Sequence, residues 1–296
     1  MLVKIIQGCV ALNYFSCAQQ DHKLNETGII LNIRMAMKLK IFQVDAFASQ
    51  VFQGNPAAVC PLNTWLDDEL LQKIAEENNL SETAFFVIND TVVELRWFTP
   101  LAEVDLCGHA TLAAAHVLYQ HLEYAAEKIT FMTKSGVLEV TKTAAGYSMD
   151  FPATLPEVIV APQALLAGLG DLQPLQVLAA FDYIVVLNNV AEVKNLNPDF
   201  AQWLILDRRG VVVTAKGDDV DFVSRCFFPK LRVNEDPITG SAHCELAPFW
   251  GSQLSRSHLQ ARQLSKRSGL VDCQLVNDRV ILTGTAVDYL SGEITL

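Results

Sequence analysis

The chain of 296 residues lacks a hydrophobic run near the ~20 residues of a membrane span, so we expect no membrane protein. Charges are also few: 19% charged and 51% hydrophobic residues exclude a disordered chain and leave apolar material for two cores. Basic residues are fewer than acidic ones: the chain has 22 Lys and Arg against 33 Asp and Glu, which gives a net charge of −11. Such a chain repels phosphate backbones, so we expect no nucleic-acid partner, although a small acidic substrate needs only one local positive site.

Cysteine pairs with redox or metal-site spacing are missing. The seven cysteines are odd in number and widely spaced, and no Cys-x-x-Cys occurs, which argues against a zinc ribbon and a disulfide framework. Buried, reduced thiols in a cytoplasmic protein are the simplest interpretation for six of them. Cys107 precedes a predicted helix, where a thiolate is favoured, and is either an acid/base or merely buried. Histidines and carboxylates likewise show no metal-ligand spacing, so we expect no metal.

Glycine-rich nucleotide motifs are absent as well, so we expect no nucleotide cofactor. Two other glycine turns, residues 106–111 and 236–243, precede predicted helices. Free N–H groups at a helix start attract anions, and one such turn in each half could hold a carboxylate between two helix ends. For either turn alone, ordinary helix capping is the simpler interpretation.

Residues 1–36 lack amphipathic periodicity. Lys4 followed by an apolar stretch weakly resembles a secretory signal, but Met35 and Met37 stand directly before the first convincing strand. We expect residues 1–36 to be an extension outside the core, with natural translation starting at one of these methionines. A signal peptide is the alternative.

The rest of the chain repeats one order of elements. The pattern Arg-x-Phe-x-Pro at 96–100 recurs 129 residues later at 225–229, and each copy precedes a glycine turn and an apolar helix. Prolines at 152, 156 and 162 predict a boundary. We therefore expect two similar domains, residues 37–152 and 153–296, with the last strand packing back on the first domain. Such pairs usually place their site in the crevice between them.

Local patterns predict the individual elements. An amphipathic pattern predicts a helix from Asp67 or Asp68 to about Asn79, and apolar patterns predict buried helices at 109–120 and 241–254. Runs rich in β-formers predict strands at 39–46, 83–88, 92–98, 129–133, 137–141, 147–151, 183–187, 210–215, 222–228, 271–276 and 279–283.

Glu82 lies between the end of a predicted helix and an apolar strand. A carboxylate facing a partly dry crevice can move protons near neutral pH, although a solvated turn glutamate is the simpler interpretation of its local sequence. His109 and His243 fall in the first turns of the two glycine-led helices, where a histidine usually supports local hydrogen bonding.

Four motifs together resemble the PhzF family of phenazine biosynthesis-like isomerases. They are Gly54–Val59, Asn79–Phe85, Asp105–Thr111 and Glu235–Ala242, and the resemblance extends from about Met37 to the C-terminus. It implies an α/β (α+β) chain of the diaminopimelate-epimerase-like fold. In this fold each of two pseudo-symmetric domains is a curved, mostly antiparallel sheet around a central helix. It also implies a homodimer, and the reduced, scattered cysteines predict a cytoplasmic location.

The resemblance further implies roles for single residues. In the characterised family member, a glutamate moves a proton between carbons of a small carboxylate without cofactor or metal. That glutamate matches Glu82, and its assisting histidine and aspartate match His109 and Asp236. The substrate-binding positions implied are Asn55, Gly108, Gly240 and Ser241.

The leading interpretation is therefore a cofactor-independent isomerase that acts on a small carboxylate through Glu82. Epimerases of this fold use two cysteines, and Cys107 matches only the first, because the turn at 236–243 contains none and Cys244 lies further into the helix. An amino-acid epimerase using Cys107 with another base is one alternative. A catalytically silent ligand-binding protein is another.

Overall fold

Strands outnumber helices in the computed structural model, which describes residues 37–90 and 92–296. The prediction that residues 1–36 form an extension falls outside these described residues. Residues Leu39–Ile294 form one compact unit. Within the described ranges, no helix is long and apolar enough to cross a membrane.

The described residues form eighteen strands and six α-helices. The first part of the chain contains β1 (Lys38–Ala46), β2 (Asn55–Leu62), α1 (Asp68–Asn78), β3 (Glu82–Asn89), β4 (Val92–Phe98), β5 (Glu103–Val104), α2 (Gly108–His121), β6 (Lys128–Thr133), β7 (Gly136–Thr143) and β8 (Gly146–Pro152). The second part contains β9 (Glu157–Val158), α3 (Gln163–Gly168), β10 (Gln176–Ala179), β11 (Tyr183–Val186), α4 (Val190–Asn195), α5 (Phe200–Trp203), β12 (Val211–Lys216), β13 (Phe222–Phe228), β14 (Val233–Asp236), α6 (Gly240–Leu254), β15 (His258–Gln263), β16 (Gly269–Val276), β17 (Arg279–Gly284) and β18 (Ala286–Thr295).

The two parts pair their strands in the same order. In the first, β2 is parallel to β3, β3 antiparallel to β4, β4 parallel to β6, and β6, β7 and β8 are antiparallel neighbours. In the second, β11, β12, β13, β15, β16 and β17 repeat this pattern. The antiparallel pair β8–β17 joins the two parts, and β18 pairs with β1. The sequence repeat thus reflects a structural repeat, while the boundary between residues 152 and 153 stays a prediction.

One helix packs at the centre of each repeat. α2 contacts β2, β3 and β8, and α6 contacts β15, β16 and β17. Every residue of α2 from His109 to Tyr119 is buried, and so are ten residues of α6. A helix on a protein surface buries only one face, so burial on all sides confirms that these are central helices.

A second apolar cluster lies on the other face of the sheet in the second repeat. Along β11, Ile184 and Val186 belong to the central core, whereas Tyr183 and Val185 belong to this second cluster, as strand alternation requires. Helices α3, α4 and α5 cover it. They have four to six residues each, too few to show a helical period, and the sequence pattern did not predict them.

Candidate active site

Four polar residues come together at the ends of their elements. Asn55 is the first residue of β2, Glu82 the first of β3, His109 the second of α2 and Asp236 the last of β14. We call Asn55, Glu82, His109 and Asp236 the polar cluster. Because β2 and β3 are parallel, both strands begin at the same edge of the sheet.

A glycine turn fixes the position of Asn55. Gly54 has a φ of +63°, and a Cβ there would lie 2.1 Å from the Ala46 carbonyl oxygen. Its N–H donates to the Ser268 carbonyl at 2.7 Å, and its own carbonyl accepts from Arg267 Nε at 2.9 Å. Only glycine fits this backbone, and the turn delivers Asn55 fully buried into the cluster.

The starts of the two central helices meet beside the cluster. A Cβ built on Gly108 would lie 3.8 Å from the Gly240 Cα, and one on Gly240 would lie equally close to Gly108. Cys107 is the N-cap of α2 and Thr239 is the N-cap of α6, and neither side chain caps its own helix. The positive ends of two helix dipoles therefore converge at one place, which favours an anion.

Asn55 and His109 connect the members of the cluster. Glu82 Oε2 lies 3.0 Å from His109 Nε2, a contact of ion-pair length that is not aligned as a hydrogen bond. The Asn55 amide nitrogen lies 2.8 Å from Asp236 Oδ1, 3.0 Å from the Ile238 carbonyl and 3.2 Å from His109 Nδ1. An amide has only two hydrogens for these three atoms, so the longest contact, to His109, is the one left without its own hydrogen.

Asp236 is a buried carboxyl group whose pKa is shifted toward neutrality. Burial raises the pKa of Asp236 to about 6, and the nearby Glu82 charge adds to the rise. The charge of His109 and hydrogen bonds from Thr239 and Asn55 oppose it. Asp236 therefore exchanges its proton in the pH range where many enzymes work.

His109 favours the imidazolium form although it is buried. Burial alone would lower the pKa of His109, but its contacts with Cys107 and Glu82 raise it well above its ordinary value. Burial raises the pKa of Cys107 to about 11, so its thiol is neutral at pH 7. Glu82 is therefore the group that holds His109 charged. Cys107 Sγ lies 3.5 Å from His109 Nδ1. At Cys107, the rise in thiol pKa caused by burial outweighs the lowering expected at a helix start.

A support for Asp236 was not predicted from the sequence. Gln263, fully buried on β15, donates to the Asp236 carbonyl at 2.7 Å and accepts from the Thr239 N–H at 2.9 Å. Thr239 Oγ1 donates in turn to Asp236 Oδ2. These residues lie 24 to 27 positions apart, so no local spacing pattern connects Gln263 with Asp236.

Two further residues singled out in the sequence, Ser241 and His243, lie in the first turn of α6 and make contacts outside the polar cluster. Ser241 Oγ accepts from Arg209 Nη2 at 2.9 Å, and Arg209 pairs with Asp182 through two further hydrogen bonds of 3.0 and 2.6 Å. His243 makes the local bond expected of a helix-start histidine, with Nδ1 2.8 Å from the Thr239 carbonyl. Burial lowers the pKa of His243 to about 4, so this ring stays neutral.

Three residues of the site also have the chemistry of metal ligands. Glu82, Cys107 and His109 offer a carboxylate, a thiol and an imidazole within 4.8 Å of one another. A metal needs a thiolate and a neutral imidazole. Both the raised pKa of Cys107 and the raised pKa of His109 oppose those forms. The absence of a metal stays a prediction.

Residues 44–292 match the model of the phenazine biosynthesis-like protein family (PhzC-PhzF). The chain belongs to this family. A Pseudomonas aeruginosa protein named as an uncharacterised isomerase is 52% identical over 260 residues, covering 88% of this chain and all of that protein. A mouse relative, phenazine biosynthesis-like domain-containing protein 2, is 38% identical over 287 residues with the same coverage.

Solved structures confirm the predicted fold class. A PhzF-family crystal structure from Enterococcus faecalis is 48% identical, covers 88% of this chain and all of its own, and superposes with a TM-score of 0.86. A hydroxyproline epimerase from Agrobacterium vitis, only 8% identical, superposes with a TM-score of 0.57 over 88% of this chain and 93% of its own, which shows a shared fold alone. The diaminopimelate-epimerase-like architecture is thus confirmed.

Proposed function

We propose that this protein is a cofactor-independent isomerase that moves a proton between two atoms of a small carboxylate substrate. The observation that carries the proposal is the contact of 3.0 Å between Glu82 and a buried His109, beside two helix starts that face each other. The similarity to a Pseudomonas aeruginosa protein named as an isomerase supports the reaction class.

In the proposed reaction, the substrate carboxylate lies against the backbone N–H groups at the starts of α2 and α6. Glu82 removes a proton from a neighbouring carbon, and the electron pair of the broken C–H bond spreads toward the bound carboxylate. The two helix starts stabilise the charge that develops there. Glu82 then delivers a proton to another carbon after its carboxyl group has exchanged with solvent, so no oxidant or reductant is needed and no proton is consumed overall.

His109 and Asp236 adjust the proton transfer. The imidazolium of His109 stabilises the Glu82 carboxylate before the reaction, and its positive charge makes the site favourable for an anionic substrate. Asp236, with its pKa of about 6, takes up or releases the proton that the substrate or solvent exchanges. Asn55 ties both residues together, because its amide nitrogen lies within hydrogen-bond distance of each.

The structure favours this proposal over a two-cysteine epimerase. Cys107 is the N-cap of α2, and the equivalent position of α6 holds Thr239, whose hydroxyl is bonded to Asp236. A second thiol opposite Cys107 is therefore missing at the matching helix start. An epimerase using Cys107 with another base remains the alternative that the experiment below separates.

The test is solvent deuterium exchange. Wild-type protein is incubated in D2O with a panel of small unsaturated and amino carboxylates, and NMR follows deuterium entering the carbon skeleton. We expect exchange with at least one compound, strongly reduced in Glu82→Gln and unchanged in Glu76→Gln, a solvent-exposed glutamate of α1. Ligand binding with no exchange in the wild type would instead identify a silent binding protein.

A further inference from the structure

A second group of titratable side chains lies at the far end of α2. His116 and His121 lie in its last two turns, about 10–20 Å along the helix from His109 at 1.5 Å per residue. Asp288 reaches them from β18. Its Oδ1 lies 3.2 Å from His116 Nε2 and 2.9 Å from His121 Nε2. Three candidate ligand atoms thus lie close together, all within 4.8 Å of one another.

Contacts on other atoms hold both imidazole rings in place. His116 Nδ1 lies 3.0 Å from the Tyr147 hydroxyl, which also accepts from Gln120 Nε2 at 3.3 Å. The His121 ring stacks on Phe42 with a centroid distance of 4.5 Å and an interplanar angle of 30°. Metal-binding histidines commonly use the second ring nitrogen in this way, since that bond fixes the tautomer and the direction of the ligating nitrogen.

The separations of Asp288 Oδ1 from His116 Nε2 and from His121 Nε2 fit a small divalent cation. With metal–ligand bonds of about 2.0–2.1 Å, nitrogen–oxygen separations near 3 Å subtend angles of about 90–100°, within reach of tetrahedral geometry. Two imidazoles and one carboxylate suit zinc and its neighbours better than magnesium or calcium, which prefer oxygen ligands.

We propose that His116, His121 and Asp288 bind a divalent transition-metal cation of the zinc type through His116 Nε2, His121 Nε2 and Asp288 Oδ1. The His121 and Asp288 side chains are 28% and 43% exposed, so a metal can enter from solvent and keep a water as its fourth ligand. The ligands are 167 and 172 residues apart, so the metal ties the end of α2 to β18 and stabilises the fold. This role does not depend on the proposed isomerase activity.

Ordinary hydrogen bonding also explains each His–Asp contact taken singly. The experiment must therefore distinguish metal binding from hydrogen bonding. Protein treated with EDTA is titrated with ZnCl2 by calorimetry and with CoCl2 by visible absorption, in a Cys107→Ser background that removes the thiol near His109. We expect one equivalent to bind, with cobalt absorption typical of low coordination number, and zinc to raise the thermal midpoint.

Two exposed ligands allow variants that should still fold. His121→Asn and Asp288→Asn should each abolish this binding and the zinc-dependent rise in thermal midpoint, and Tyr147→Phe should weaken binding by about 10–100-fold. The matched control is His258→Asn, because His258 and Asp272 form an exposed His–Asp pair of 2.6 Å, and no third candidate ligand joins them among the residues that the structure describes. Absence of stoichiometric binding, or binding that survives both ligand variants, would overturn the proposal.

Discussion

The Asn55 amide donates to Asp236 Oδ1 across 2.8 Å, although the two residues are 181 positions apart in the chain. Asn55 belongs to the first structural repeat and Asp236 to the second. The Asn55 side chain thereby links His109, which contacts Glu82, to Asp236 of the second repeat. The site is complete only when both repeats are folded, which explains why neither glycine turn was informative by itself.

Asp236 should make stability depend on pH. Its pKa is about 6 in the folded protein against an ordinary value of 3.8, so the folded state binds the extra proton and this contribution is present at low pH and lost as the pH rises through 6. Urea unfolding at pH 5 and pH 7 should show the wild type losing about 1 kcal/mol from this group. Asp236→Asn should lack that part of the loss. An identical pH slope in both proteins would show that Asp236 is not perturbed.

Gly54 should be the least replaceable glycine next to the site. Gly54→Ala combines a left-handed backbone with a clash against the Ala46 carbonyl, since the added carbon would lie 2.1 Å from that oxygen. We expect a loss of about 2–4 kcal/mol in the free energy of unfolding, together with loss of activity as Asn55 moves. Chemical denaturation measures the first and substrate turnover the second.

Gly170→Ala is the matched control for that change. Gly170 has nearly the same φ, +65°, but a Cβ there would meet nothing within 4 Å. It should therefore cost only the backbone strain, about 1 kcal/mol, and leave activity unchanged. Equal losses in the two variants would show that the contact with Ala46 is unimportant.

The fold was predictable from the sequence where its signals are local. Runs rich in β-formers predicted most of the strands. Two apolar segments that follow glycine turns predicted both central helices, because a helix buried on all sides, such as α2, has no polar face. The short helices α3 to α5 have less than two turns each, so their sequences show no helical periodicity. Strand β18 is mostly exposed and lacks the apolar run that marks a buried strand.

The candidate site was predictable only in part for a related reason. Glu82, His109 and Asp236 each sit in a recognisable motif, and the structure brings them together through Asn55. Gln263 supports Asp236 from another strand, and no spacing rule connects residues 27 positions apart. The same holds for Asp288, whose histidine partners precede it by 172 and 167 residues.

A homodimer stays a prediction that rests on the family resemblance. Sedimentation velocity at micromolar concentration should give one species with twice the mass of the chain. The expected dimer should persist at high salt if its interface is largely apolar, since screening weakens only charged contacts. A single species with the mass of one chain would contradict the prediction.

Glu82 should be the principal proton carrier, and Cys107 should be dispensable. Removal of a general acid/base typically costs about 10²–10⁴-fold in rate, so Glu82→Gln should lower turnover by that order while substrate binding, measured by calorimetry, persists. Cys107→Ser should keep most activity, because burial raises the pKa of this thiol to about 11 and the N-cap position of the opposite helix holds Thr239 rather than a cysteine. His109 loses only a weak neighbour in that variant, since the thiol lies 3.5 Å from Nδ1 whereas Glu82 lies 3.0 Å from Nε2. Deuterium exchange that survives Glu82→Gln but disappears in Cys107→Ser would replace the glutamate mechanism with a thiol-based epimerase.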